Sequence, residues 1–204
     1  MRKDAAVPRA LADEIKTELE TLTPNEFASR RILEPIPHAF AGDLAALSEW
    51  KAELGHALEV DPRSMAIVGS AAIGVSLKPG RLLRPFGEDS DVDVAVVSHF
   101  HFERAWRRIR NLPPSVRASL GKVQKRSVRS HEMDYIYRGA VATDKILDLL
   151  PFAETWVPGL SKMEGIEPSA GRPVRARIYR DFEALRQYQL KSILRAQEEL
   201  ETHA

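Results

Sequence analysis

The chain contains no cysteine. That absence excludes disulfide frameworks, thiolate zinc sites, iron–sulfur clusters and cysteine nucleophiles, and leaves oxygen and imidazole to hold any metal. Nor does any charge-free run approach the ~20 apolar residues that cross a bilayer, so no membrane contact is expected. The opening MRKDAAVPRALADEI is basic but has no apolar stretch before Asp13 and Glu14, which is not the pattern of a secretory leader; a cytoplasmic location is the expectation. There is no internal repeat, no low-complexity tract and no G-x-G-x-x-G fingerprint. Gly69 to Ser76 carries Val75 where a Walker-type phosphate loop needs lysine.

What remains is a globular mixture of 204 residues, 44% hydrophobic and 29% charged, long enough to bury a core without covalent staples. The net charge of +1 conceals an asymmetry: residues 1–63 sum to −4, residues 101–138 to +7 and residues 171–195 to +5. Two basic stretches around an acidic middle suit a polyphosphate or a nucleic-acid backbone, although solvated faces produce the same pattern.

Leucine and isoleucine at helical spacing predict helices over 9–22 and 42–58, joined by a surface linker broken by Pro24, Pro35 and Pro37. A short apolar run at 64–68 reads as a buried strand, 70–77 as a short helix, 78–90 as an exposed loop and 91–97 as a second strand. A helix is expected at 100–112, a strand at 132–137, strand or helix at 145–150, loop at 151–172, a strand at 174–179 and a long helix at 181–201. His99 and His101 are placed in a turn at the end of the second strand, and Trp50, Trp106 and Trp156 in the core. The expected architecture is α+β: one domain over 1–204, with a helical arm (1–60), a core with a small mixed sheet (61–152), and a closing loop, strand and helix (153–204).

Gly69-Ser70 follows the first strand and opens the short helix. Glycine permits close backbone approach and the Ser70 hydroxyl adds a donor, so the turn is a candidate phosphate cradle. Asp91 and Asp93, two apart on one strand, point to the same side. They form a candidate clamp for a divalent cation, and Mg²⁺ favours such carboxylates together with phosphate oxygens. Alone, a Gly-Ser turn is commonly just a turn and an Asp-x-Asp a solvated edge. Arg81 and Arg84 are positioned in sequence to close over a triphosphate, and Lys122, Lys125 and Arg126 to follow a polynucleotide. Arg175, Arg177 and Tyr179 alternate on one face, as phosphate contacts or as the charged guard of an edge strand.

Gly69-Ser70, Gly74 and Asp91-Val-Asp93, in this order, resemble the signature of the DNA polymerase β-like nucleotidyltransferase superfamily, which includes oligonucleotide synthases and nucleotidyltransferase antitoxins. The resemblance covers 64–97, and extends loosely to about 152. It implies Mg²⁺ (or Mn²⁺) on Asp91 and Asp93, and a nucleoside triphosphate on Gly69 and Ser70. The implied reaction is two-metal transfer of a nucleoside monophosphate to a hydroxyl of a nucleotide, nucleic acid or protein, with pyrophosphate release. Residues 78–90 then form an insertion. The third carboxylate of the family falls on Asp148, within an apolar-Asp-apolar-apolar-Pro pattern, or on Asp134. If 174–179 is the equivalent strand, that acid is missing, and the chain is a nucleotide-binding or antitoxin-like module of the same fold. A large helical lobe is not expected after the core, and a protein partner is the expected source of one.

Overall fold

The computed structural model describes residues 9–202. The chain forms α1 (Arg9–Thr21), α2 (Pro24–Phe27), α3 (Leu44–Leu58), β1 (Met65–Val68), α4 (Ser70–Ile73), β2 (Val92–Val97), α5 (His99–Arg110), α6 (Pro114–Ser119), α7 (Lys122–Ser130), β3 (Ala140–Ala142), α8 (Ala153–Met163), β4 (Val174–Tyr179) and α9 (Phe182–Thr202). The fold is α+β, with a four-stranded mixed sheet in the order β1-β2-β4-β3. β2 and β4 are parallel, and both outer pairings are antiparallel.

Strand alternation divides the core into two layers. Ile67, Val94, Val96, Ala176 and Ile178 bury one face together with Trp50 and Leu54 of α3, Phe102 of α5 and Trp156 of α8. On the other face Val68, Ala95, Ala140 and Tyr179 meet Ile15 and Leu19 of α1 and Leu185 and Ile193 of α9. The expected amino-terminal helical region is present and packs into the core. β2 is Val-rich because it is interior in the sheet and covered on both faces over most of its length; its one carboxylate, Asp93, is its second residue.

Several expectations are corrected. The linker with Pro24, Pro35 and Pro37 is not all surface loop: Pro24 stands at a helix start, where its missing N–H costs nothing, and Thr23 and Glu26 close a capping box. The chain continues into a π-helical turn, Ala28–Leu33, that buries Phe27, Ala28 and Ile32 and is tied to α1 by Arg31 on Glu14 and Glu18. Residues 132–137 are not a strand. The α7 helix runs on into a wide turn, His131–Tyr135, because His131 bridges it to the sheet: Nδ1 donates to Ser127 O (2.7 Å) and Nε2 accepts from the Ala142 N–H (3.0 Å). The 151–172 segment is not all loop but contains α8. Its Pro158 and Gly159 hid the helix from the sequence, yet Gly159 is what lets α8 pack on α3: a Cβ there would sit 3.0 Å from Ala57 O. Residues 145–150 form single 3₁₀ turns, Thr143–Lys145 and Leu147–Leu149. His99 and His101 lie in the first turn of α5 and not in a strand-end turn, with His101 buried against Phe152 and Trp156. Trp50 and Trp156 are core, their indole N–H groups donating to Ser169 Oγ and Leu58 O.

Candidate functional site

β1 ends beside the start of β2, since Val68 pairs with Asp93. The chain turns at Gly69, whose φ of 66° and ψ of −151° belong to a region that side chains avoid. A Cβ on Gly69 would lie 3.0 Å from Asp93 Oδ2, so glycine here serves both the turn and the approach of the carboxylate. Ala72 and Ile73 return their N–H groups to Gly69 O, which leaves Ser70 and Ala71 as the donors at the head of α4. The turn and the two aspartates are thus one locus, at the end of the sheet where β1 finishes and β2 and β4 begin.

β4 supplies the other half. In parallel register Asp93 lies beside Arg175 and Ala95 beside Arg177. Arg175 Nε is 3.2 Å from Asp91 Oδ2. Arg177 is sunk between aromatic rings, its guanidinium 4.5 Å from the centre of Tyr188 and 5.9 Å from that of Tyr135, and its buried Nε has no hydrogen-bond partner among the described residues. Burial pushes the Asp93 carboxyl above its ordinary range; Lys78, Arg177 and Arg175 act in the opposite sense, and Asp91 adds to the rise. Desolvation therefore outweighs three neighbouring cations.

The 76–86 loop is a closed hairpin. Leu83 N–H donates to Ser76 O and Phe86 N–H to Gly74 O, and Gly80 N–H donates to Glu199 on α9 at 3.2 Å. Arg84 faces Asp89 at 3.5 Å and Arg81 is exposed. Neither is brought to the carboxylate pair. The cation of this loop whose charge reaches Asp93 is Lys78, which has no periodic or spacing signal in the sequence.

Both candidates for the third carboxylate lie elsewhere. Asp148 sits in a 3₁₀ turn and accepts from Gln124 Nε2 at 2.8 Å; its neighbours Ile146 and Leu150 belong to the core layer on the opposite face of the sheet from Ala95 and Tyr179. Asp134 pairs with Arg138 at 2.5 Å. Among the described residues no group of three His, Cys, Asp or Glu is placed to share a metal ion. Asp93 on β2 and Asp91 just before it nonetheless fit a single Mg²⁺ that takes its remaining ligands from phosphate and water. They do not fit a protein-held pair of ions.

No protein-family model, curated protein sequence or solved structure matches this chain.

Proposed function

We propose that the protein binds a nucleoside triphosphate with one Mg²⁺ at the Gly69–Asp93 locus, as a nucleotide-binding module of the polymerase β-like nucleotidyltransferase type that carries out no transfer. The observation that carries this reading is the pairing of β4 with β2. The strand beside the aspartates presents Arg175 and Arg177, two cations and no acid. Such a face attracts polyphosphate and lacks the carboxylate that would complete a second ion's site or take the acceptor's proton. Asp91 and Asp93 would hold the ion, which neutralises phosphate charge when bound. The Ser70 and Ala71 amides and the Ser70 hydroxyl donate to phosphate oxygens. Arg175 exchanges Asp91 for a phosphate, a bidentate partner that its planar fork suits. Lys78 adds a point charge.

A second reading, transfer of a nucleoside monophosphate to a hydroxyl acceptor, is supported by the closeness of Asp93 to the Gly69 turn, the juxtaposition such chemistry uses. One experiment separates the two. Binding of each nucleoside triphosphate is measured calorimetrically with Mg²⁺ or EDTA, alongside pyrophosphate release with RNA and cell extract present, for wild type and Asp91→Asn/Asp93→Asn. The module reading expects Mg²⁺-dependent binding that the double variant weakens at least tenfold, and no pyrophosphate. Pyrophosphate from wild type alone establishes the transferase, and absence of binding overturns both.

A further inference from the structure

A second locus lies outside the carboxylate face. α7 and the turn after it form one wall of a trough of about 510 Å³, and α9 forms the other. Arg126 and Arg129 project into it from α7, three residues apart and so on one helix face, and Lys191 and Arg195 from α9, four apart and likewise on one face. None of these four is ion-paired among the described residues, and the acid in the trough, Asp134, is engaged by Arg138. Facing rows of unpaired like charge give the trough a positive potential that an anionic ligand would neutralise.

The trough continues past Arg138, Tyr188 and Lys191 into a neighbouring cavity of about 390 Å³ that Tyr137 lines. At its borders two large side chains stand exposed, Tyr137 at 90% and Met133 at 71%, and Glu183 is the acid of the second cavity. A large ring left in water beside a cationic channel is the combination that binds unpaired bases, since every base has a face to stack and every linkage a phosphate to neutralise. An elongated channel walled by two helices suits a flexible strand and not the flat surface of a bilayer.

We propose that the α7–α9 trough is a binding site for single-stranded nucleic acid, with Arg126, Arg129, Lys191 and Arg195 on the backbone phosphates and Tyr137 under a base. The site goes beyond the triphosphate reading and does not depend on it.

The test is fluorescence anisotropy of a labelled twelve-nucleotide uridine RNA with the full chain. Four phosphate contacts give a slope of about −3 in log affinity against log salt, or roughly fifty-fold weaker binding at 200 mM than at 50 mM. Arg129→Glu/Arg195→Glu should weaken binding at least tenfold and flatten the slope. Tyr137→Ala should weaken it at least fivefold, and as a change at an exposed ring it keeps the test valid if the double variant fails to fold. Arg63→Glu/Lys162→Glu, the same charge change on the α3–α8 side, should leave affinity within twofold. Asp91→Asn/Asp93→Asn should also bind RNA normally, so the two proposals fail separately. Equal binding of a duplex, displacement by ATP or inorganic phosphate at the oligonucleotide's own concentration, or indifference to both trough variants overturns the assignment.

Discussion

Arg175 Nε stands 3.2 Å from Asp91 Oδ2 across the parallel β2–β4 pair. Both side chains are partly exposed, so the pair contributes at most about 1 kcal/mol to stability. It is cheap to open, which suits a guanidinium that must pass from a carboxylate to a phosphate. Arg175→Gln should therefore shift the urea midpoint little, by no more than about 1 kcal/mol in folding free energy. In calorimetry it should weaken Mg²⁺-triphosphate binding about tenfold, the order expected for one charge-assisted contact. Unchanged triphosphate affinity would remove Arg175 from the site.

Gly69→Ala tests the turn. The φ of 66° with ψ of −151° costs a non-glycine residue about 1–3 kcal/mol, and the new Cβ would meet Asp93 Oδ2 at 3.0 Å. Because that oxygen belongs to a side chain, Asp93 yields before the sheet does. The expected result is a stability loss of about 1–3 kcal/mol in urea unfolding, together with loss of Mg²⁺-dependent triphosphate binding. Retained binding would mean that the approach of Asp93 to the turn is unimportant.

How far the sequence anticipated this arrangement depended on the range of the interactions involved. β1, β2 and β4 were legible because a short apolar or alternating run is a local pattern, and α1 and α3 because their stripes recur at helical spacing. α8 was hidden by Pro158 and Gly159, which its packing on α3 tolerates and, in the case of Gly159, uses. The 132–137 alternation misled because His131 ties that segment to Ala142, a contact no periodicity reports. Gly69, Ser70, Asp91 and Asp93 were all legible, since a strand–turn–helix and an alternating pair are local patterns. Arg175 and Arg177 were visible as alternating charges, but only the β2–β4 crossover sets them beside Asp93. Lys78, a lone loop cation, gave no signal, whereas Arg81 and Arg84 drew notice and are held elsewhere.

Trp156→Ala separates stability from binding. The ring is fully buried and its N–H donates to Leu58 O at 3.0 Å. Truncation leaves a cavity and an unpaired carbonyl, for an expected loss of about 3–5 kcal/mol. Tyr137→Ala, at a ring 90% exposed, should lie within about 0.5 kcal/mol of wild type. Urea unfolding of the two variants checks both values, and a large loss for Tyr137→Ala would mean that the ring packs in solution and is not free to stack.

His131 makes the fold sensitive to acid. Burial holds its imidazole below the ordinary range, while the hydrogen bonds to Ser127 and Ala142 act to raise it. The Nε2 that accepts from Ala142 N–H cannot also carry a proton, so charging the ring sets two donors against each other at the junction of α7 and β3. The unfolded histidine takes up a proton near pH 6.5, whereas the folded one does so only at lower pH. Between those two values the unfolded state binds more protons. The stabilisation is complete above about pH 6.5 and falls as the pH drops, at up to about 1.4 kcal/mol per pH unit for one group. His38 and His101, also lowered by burial, add in the same direction. A variant that keeps a donor for Ser127 O and an acceptor for the Ala142 N–H but does not titrate near neutrality, His131→Gln, should be less stable than wild type at pH 8 and lose less stability between pH 7 and pH 5. Urea unfolding at a series of pH values reads both quantities. Equal slopes for the two proteins would show that the imidazole is not held neutral, and that the junction between helix and sheet does not depend on it.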